Sequence, residues 1–273
     1  MKDKREVVVH IVTAKMLSMD IEKYHQLIVT IQEDEWYQDC VSNEVLETNY
    51  HPYLGNECDT GSFGELTEQG FRASCRHFAV TWAPLVDPVM DKNWYTLRHI
   101  SQRNTLTAHI MGIISRLQGE FMLTDDPMTL RRLPYQVIVD EFKRLFPGSY
   151  MDPSIVSRVV RSTPVIVNGK QTPTIELLPR ASFLVGTRIA RILETVHPLL
   201  SDRELGKELA TRFNLHVSRR YVTYCRNAVG IPDARLRTRR HAHFFSWGLV
   251  VQNPFLLTRW TLFPRRRGCM VSA

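Results

Sequence analysis

The arginines of the segment SRRYVTYCRN, residues 218–227, have the chemistry best suited to recognition in this sequence. A guanidinium group can reach both phosphate oxygens and the guanine edge that faces the major groove of DNA. On a helix, Arg219, Arg220 and Arg226 would lie on or near one outward face. The segment therefore predicts a helix that contacts nucleic acid, although an ordinary basic surface helix fits the same pattern.

A preceding helix must position this segment. Ser201 and Glu204 form an S-x-x-E capping box, which predicts a helix start near Asp202. Asn214 is suited to end that helix, because asparagine tolerates the left-handed conformation. Between these limits, apolar residues recur at helical spacing and form one stripe, at Leu205, Leu209 and Phe213.

The arginines themselves belong to a second predicted helix, from about Ser218 to Val229, with Val222 and Val229 facing inward. Gly230 is suited to end it, and Pro232 prevents its continuation. Two short helices with positive charge on the second are typical of a helix-turn-helix, whose second helix fits the major groove.

The arginine segment resembles the signature box of the sigma-54 family of bacterial transcription factors, ARRTVAKYRE. Four of its ten positions agree: Arg219, Arg220, Val222 and Arg226. Tyr221, Tyr224 and Cys225 stand where the family has Thr, Lys and Tyr. In the family, this box reads the upstream, GG-containing element of a two-part promoter, so the resemblance implies promoter binding.

The flanks of the box also resemble the family. Residues 198–202 match its P-L-S-D segment with one residue extra, and residues 229–232 match its L-G-I-P segment. Arg235 and Arg237 follow in the place of the family's basic run.

Further resemblance extends upstream. The pattern of the family's QR-x-x-TL helix recurs at Gln102, Arg103, Thr105, Leu106, Ile110, Ile114, Gln118 and Phe121. Residues 151–160 are similar to the family's E-S-T-V-S-R segment, with Ser157 and Arg158 among the matches, and Asp152-Pro153 predicts a helix start there. Within 165–177, Asn168-Gly169 between alternating apolar flanks predicts a β-hairpin.

The N-terminal part fits the family more loosely. Residues 16–39 resemble its first helix, which meets the activator ATPase, but an amphipathic packing helix explains them equally well.

Charged residues are unevenly distributed along the chain. Residues 201–273 contain 14 Lys and Arg and four Asp and Glu, whereas the first 200 residues contain 21 Lys and Arg and 24 Asp and Glu. Between Tyr24 and Phe71 there are ten acidic residues and no Lys or Arg. Asn49 to Gly64 is the best linker candidate.

Five segments are predicted on this basis. They are an N-terminal activator-interacting-like helical region (1–48), an acidic linker with a truncated core-binding remnant (49–98), a core-binding-like helical domain with a helix-turn-helix and hairpin (99–184), a C-terminal DNA-binding helix-turn-helix domain (185–240) and a divergent tail (241–273). The remnant is shorter than the family's helical segment, which puts binding to RNA polymerase core in doubt.

The sequence offers little support for an enzymatic function. The sequence lacks G-x-x-x-x-G-K, G-x-S-x-G and H-E-x-x-H motifs, and His241 with His243 has no nearby acidic or cysteine partner for a metal. Five scattered cysteines indicate a reducing cytoplasm. We expect no catalytic residues, no cofactor, no metal and no membrane segment; the apolar stretches of the tail are too short to span a membrane.

The resulting expectation is a mainly α, multi-domain helical protein with two helix-turn-helix motifs and a short β-hairpin. As the resemblance implies, it would be a cytoplasmic sigma-54-like transcription initiation factor with promoter DNA, RNA polymerase core and an activator ATPase as partners. Two alternatives remain: a degenerate DNA-binding module that does not recruit polymerase, and a protein-interaction remnant. The expected DNA-binding residues are Ser218, Arg219, Arg220, Tyr221, Tyr224, Arg226, Arg235, Arg237, Ser157 and Arg158.

Overall fold

The structure is a computed structural model that describes residues 13–48, 54–55, 61–74, 77, 80, 82–84 and 92–239. The chain divides into two compact units, Met1–Leu178 and Pro179–Ala273. Most described residues are helical, which confirms the expected mainly α class. The finer division into five segments stays a prediction; two of its boundaries, 98/99 and 184/185, fall inside helices.

The first unit contains six helices among its described residues, after a helical turn at 13–17. They are α1 (Ile21–Gln32), α2 (Glu35–Ser42), α3 (Lys92–Leu117), α4 (Gly119–Thr124), α5 (Tyr135–Leu145) and α6 (Pro153–Ser162). Short 3-10 turns occupy Pro127–Thr129 and Thr174–Leu177. Side-chain caps begin several helices; the Asp152 carboxylate accepts from the Ser154 amide at 2.6 Å, which confirms the predicted start of α6.

The strands of this unit are β1 (Leu46–Thr48), β2 (Leu54–Gly55), β3 (Gly64–Thr67), β4 (Gly70–Ser74), β5 (Trp82–Pro84), β6 (Pro164–Val167) and β7 (Lys170–Pro173). Five of them form a sheet in the order β2-β4-β3-β6-β7, and β1 pairs with β5 separately. The predicted hairpin is confirmed, since β6 and β7 are antiparallel neighbours. Asn168 and Gly169 both have positive φ between them, as a tight hairpin turn requires.

The described C-terminal end of the predicted linker is not a linker. Ser62 and Phe63 are buried, and Phe63 is bonded on both sides, its amide donating to Pro164 and its carbonyl accepting from Ser74. Residues from Gly64 onward form β3 at the middle of the sheet. The sequence did not indicate a strand here, because the region is acidic and the apolar residues of β3 lie on only one side of the strand.

Arg103 is fully buried in the first unit. It donates to the carbonyl oxygens of Met16 (2.5 Å) and Met19 (2.8 Å), and its guanidinium lies over the rings of Tyr24 and Phe63. Burial lowers the pKa of Arg103 to about 10, so the side chain stays charged at neutral pH. These contacts fix the N-terminal helices against α3 and give Arg103 a structural role.

Gln118, the residue after the end of α3, is another buried polar residue with a structural role. Its amide nitrogen donates to the carbonyls of Arg131 (2.8 Å) and Leu177 (2.6 Å), and its amide oxygen accepts from the Arg131 amide (2.9 Å). The side chain is buried, so these three bonds satisfy backbone groups that water does not reach. Two distant loops are thereby attached to the longest helix.

The second unit contains four helices among its described residues: α7 (Ala181–Thr195), α8 (Asp202–Phe213), α9 (Arg219–Ala228) and α10 (Ala234–Arg239). Both helices predicted around the arginine segment are confirmed within a residue or two. Their apolar faces share one core, formed by Val185, Ile189, Ile192, Leu193, Leu205, Leu209, Val222, Cys225, Val229 and Ile231. None of the helices in the described residues is long and apolar enough to cross a membrane.

Candidate nucleic-acid interface

The connection between α8 and α9 is built by side-chain caps. Ser201 accepts from the Glu204 amide at 3.4 Å while Glu204 accepts from the Ser201 amide at 2.7 Å, so the predicted capping box is present. Asn214 ends α8 with φ at 51°, in the left-handed region. Ser218 then begins α9 by accepting from the Tyr221 amide at 3.3 Å. The ends of both helices are therefore fixed by local hydrogen bonds.

Helix α9 has a buried face and an exposed face. Val222 and Cys225 are buried in the core of the unit. Arg220, Tyr224 and Asn227 are exposed, and their spacing of four and three residues places them along one outward stripe. We call these three residues the outward stripe of α9.

The N-terminal end of α9 carries uncompensated positive charge. Arg219 and Arg220 are exposed, and neither forms an ion pair with any residue that the structure describes. The same holds for Arg235, an exposed residue of α10. By contrast, Arg212 on α8 is paired with Glu208 at 2.8 Å. The arginines of α9 and α10 that face solvent are thus available to an anionic partner.

Arg226 does not belong to this exposed set, contrary to the sequence-based assignment. Its side chain is only 4% exposed, and it donates to Asp202 of α8 (2.9 Å) and to the carbonyl of Ile231 (2.5 Å). Position 226 lies one turn after Val222, at the edge of the buried face, and the Asp202 carboxylate of α8 binds its guanidinium there. Arg226 therefore connects α9 to α8 through its ion pair with Asp202, and its buried side chain cannot contact a DNA phosphate.

Asp202 is the carboxylate at the centre of this junction. It accepts from the Thr223 hydroxyl at 2.6 Å as well as from Arg226. Burial alone would raise the pKa of Asp202, but the hydrogen bonds from Arg226 and Thr223 outweigh it and lower the pKa below its usual value. The carboxylate is consequently ionised at neutral pH and holds the start of α8 against the middle of α9.

Arg237 is a second correction. Its side chain is 5% exposed and donates to the carbonyl of Leu200 at 2.5 Å. Burial, followed by the positive charge of Arg226, lowers the pKa of Arg237. The residue anchors α10 to the segment before α8, so it too is removed from the expected DNA-binding set.

Ser157 and Arg158 lie in the first unit, on α6. Both are half-buried, and Arg158 donates to the Ser154 hydroxyl at 3.2 Å. At the start of this helix, the hydrogen bond with Ser154 is the largest of the causes that lower the pKa of Asp152 to about 2. These residues are placed on one helix as predicted, but in a different unit from the residues of α9.

Asn227 is a candidate that sequence reasoning missed. It follows Tyr224 by three residues and Arg220 by seven on the exposed side of α9. Asparagine can pair with the N6 and N7 edge of adenine, which makes it a suitable base-contacting residue. The signal in the sequence is its spacing of seven residues from Arg220, about two helical turns.

Metal chemistry has no site in the described part of the chain, where no three His, Cys, Asp or Glu side chains are grouped to hold an ion. Cys225 is buried and free, and burial raises the pKa of its thiol. His241, His243 and the remainder of the predicted tail lie outside the described residues.

No protein-family model matches this chain, and no curated protein matches it.

Proposed function

We propose that α8 and α9 form a helix-turn-helix that binds duplex DNA, with α9 entering the major groove. The observation that carries this proposal is the outward stripe of α9 together with the uncompensated charge of Arg219 and Arg220 at the N-terminal end of the helix. In helix-turn-helix proteins, the N-terminal residues of the second helix contact base edges while the first helix crosses the backbone. The positive charge of Arg219 and Arg220 thus lies at the end of the helix that contacts DNA in such complexes.

The dimensions of α9 also support the proposal. A helix with its side chains is about 10–12 Å across, which fits a major groove about 12 Å wide, and the ten residues of α9 give it a length of roughly 15 Å. The helix ends in capped turns on both sides, so no further element of the described chain prolongs it into the groove. In this arrangement Arg220 would donate to a guanine, and Arg219 would donate to a phosphate.

Other exposed residues complete the proposed contact surface. Arg235 on α10 would add a phosphate contact, and Ser218 is an exposed residue at the start of α9. Tyr221 is half-buried beside the stripe, and Tyr224 is exposed within it. Phosphate contacts of this kind orient a protein on DNA, whereas base contacts give specificity.

The wider proposal follows from the resemblance to the sigma-54 family. On that basis, the protein is a cytoplasmic transcription initiation factor that directs RNA polymerase core to promoters that need an activator ATPase. We further propose that α5 and α6 form the second helix-turn-helix, with Ser157 and Arg158 contacting DNA nearer the start site. The capped start of α6 and its buried apolar face, which includes Val156 and Val159, support a stable helix there.

The test is a fluorescence-anisotropy titration of the full chain at physiological salt. One duplex carries a two-part GG/GC promoter, and the control duplex has the GG scrambled. We expect the intact site to bind at least tenfold more tightly. Arg220→Ala should remove about 1–3 kcal/mol of binding free energy and most of this preference. Arg191→Ala removes an exposed arginine of α7 that pairs with Glu194, and should leave the preference unchanged.

Equal binding of both duplexes by the unaltered protein would contradict sequence reading by α9, and absence of binding would contradict the DNA-binding proposal as a whole. Co-purification with core polymerase then tests the wider proposal. A chain that binds the promoter but does not retain polymerase would be a DNA-binding module without the initiation activity.

A further inference from the structure

Tyr224 is the large side chain of the outward stripe. It is 57% exposed and lies one helical turn after Arg220. Its hydroxyl forms no hydrogen bond with the part of the chain that the structure describes. The ring is therefore presented to solvent in the middle of the surface that we propose enters the groove.

The ring of Tyr224 is nevertheless held in place. Tyr221 packs against the hydrophobic core of the second unit. The two tyrosine rings stack with their centroids 6.1 Å apart and their planes at 29°. Tyrosine also has few rotatable bonds, so a ring supported in this way loses little conformational entropy when it contacts a partner.

The position of Tyr224 relative to Arg220 sets which base it can reach. Four residues advance about 6 Å along a helix axis, and successive bases of one strand are about 3.4 Å apart. A helix lying along the groove therefore places the Tyr224 ring about two base pairs from the base that Arg220 contacts. An aromatic ring cannot form the bidentate bonds by which arginine and asparagine read purines. The apolar group that the major groove offers it is the 5-methyl group of thymine.

We infer that Tyr224 is a specificity-determining residue that contacts a thymine 5-methyl group about two base pairs from the guanine read by Arg220. This inference rests on the proposed DNA-binding function of α9. It adds a preference for one pyrimidine to the preference for guanine.

The experiment replaces single thymines of the promoter duplex with deoxyuridine, which removes one methyl group and no hydrogen-bonding group. Substitutions are made one at a time within three base pairs of the GG, on either strand. The full chain is titrated against each duplex by fluorescence anisotropy, and Tyr224→Ala, Tyr224→Phe and Tyr95→Ala are compared with it. Tyr95 is an exposed tyrosine of α3 in the first unit and serves as the control.

We expect deoxyuridine at one position to weaken binding of the unaltered protein about fourfold, the effect of removing one buried methyl group. Tyr224→Ala should bind the thymine duplex more weakly by at least this factor and should not distinguish it from the deoxyuridine duplex. Tyr224→Phe and Tyr95→Ala should behave like the unaltered protein.

Two results would overturn the inference: equal affinity for every deoxyuridine duplex, or a Tyr224→Ala variant whose affinity still falls when the thymine is replaced. The scrambled-GG duplex distinguishes failure of this inference from failure of the proposed function. If the GG preference persists without sensitivity to deoxyuridine, the role of Tyr224 fails alone. If the GG preference is absent, sequence reading by α9, on which the inference rests, fails first.

Discussion

Gly186 tests the packing that holds α9 in place. It lies on α7 where that helix crosses α9, and a Cβ atom there would be 2.9 Å from both the Cys225 carbonyl oxygen and one Val229 methyl carbon, and closer still to the other. Favourable contacts between carbon atoms are about 3.5–4.0 Å. The backbone oxygen and the short Val229 side chain cannot both move away without separating the helices. We therefore expect Gly186→Ala to destabilise the second unit.

The magnitude is set by two opposing effects. Overpacking a closely packed core costs about 1–3 kcal/mol, while alanine favours the helix over glycine by up to about 1 kcal/mol. A net loss of about 1–2 kcal/mol is expected. Gly206→Ala is the matched control on α8, because its Cβ would make ordinary contacts at 3.8 Å and 3.9 Å. That variant should gain stability by up to about 1 kcal/mol.

Hydrogen exchange followed by mass spectrometry measures both variants in the full chain, because peptides from α7 and α9 report on the second unit separately. A loss of 1.4 kcal/mol corresponds to tenfold faster exchange of the most protected amides. If Gly186→Ala exchanged as slowly as the unaltered protein, the close approach of α7 and α9 would be refuted.

The remaining predictions concern buried polar groups. Because hydrogen bonds hold the pKa of Asp202 below its usual 3.8, the stabilisation they give is present above that pH and is lost as the pH falls through the lowered value. Asp202→Asn leaves Arg226 buried without a charged partner, so it should lower the free energy of unfolding by up to about 3 kcal/mol at pH 7. Thermal unfolding of this variant should no longer show the acid dependence. An unchanged pH profile would contradict the pairing of Asp202 with Arg226. Gln118→Leu should lower the stability of the first unit by about 1–3 kcal/mol for each buried backbone group left unpaired, seen as faster hydrogen exchange in α3. The exposed Gln136→Leu should change little, and equal effects of the two substitutions would contradict the role of Gln118.

The helix limits of the second unit could be predicted from the sequence because caps act over a few residues. Ser201 and Glu204 bond to each other across one turn, and Ser218 bonds to an amide three residues ahead. The hairpin at Asn168-Gly169 was predictable for the same reason. Such signals need no knowledge of tertiary contacts.

Tertiary contacts decided the features that the sequence did not reveal. Arg226 has the same charge as Arg219 and lies seven residues later, so helical periodicity places them on similar faces. Its inward orientation depends on Asp202 of the preceding helix. Likewise, the place of β3 in the middle of the sheet depends on β6 as well as on β4, because Leu66 lies opposite Val167, about one hundred residues away.

The inward orientation of Arg226 and Arg237 changes how the second unit should respond to ionic strength. A cationic side chain that neutralises a DNA phosphate displaces condensed counterions, and each such contact contributes about 0.9 to the slope of log affinity against log salt. If Arg220 contacts a guanine, counting the other four arginines at 219, 226, 235 and 237 as phosphate contacts would give a slope of about 3.6. Of these four, Arg219 and Arg235 are the ones that face solvent, so the slope falls to about 1.8. Counterion release then accounts for a smaller part of the affinity, and a larger part depends on groups in contact with the bases.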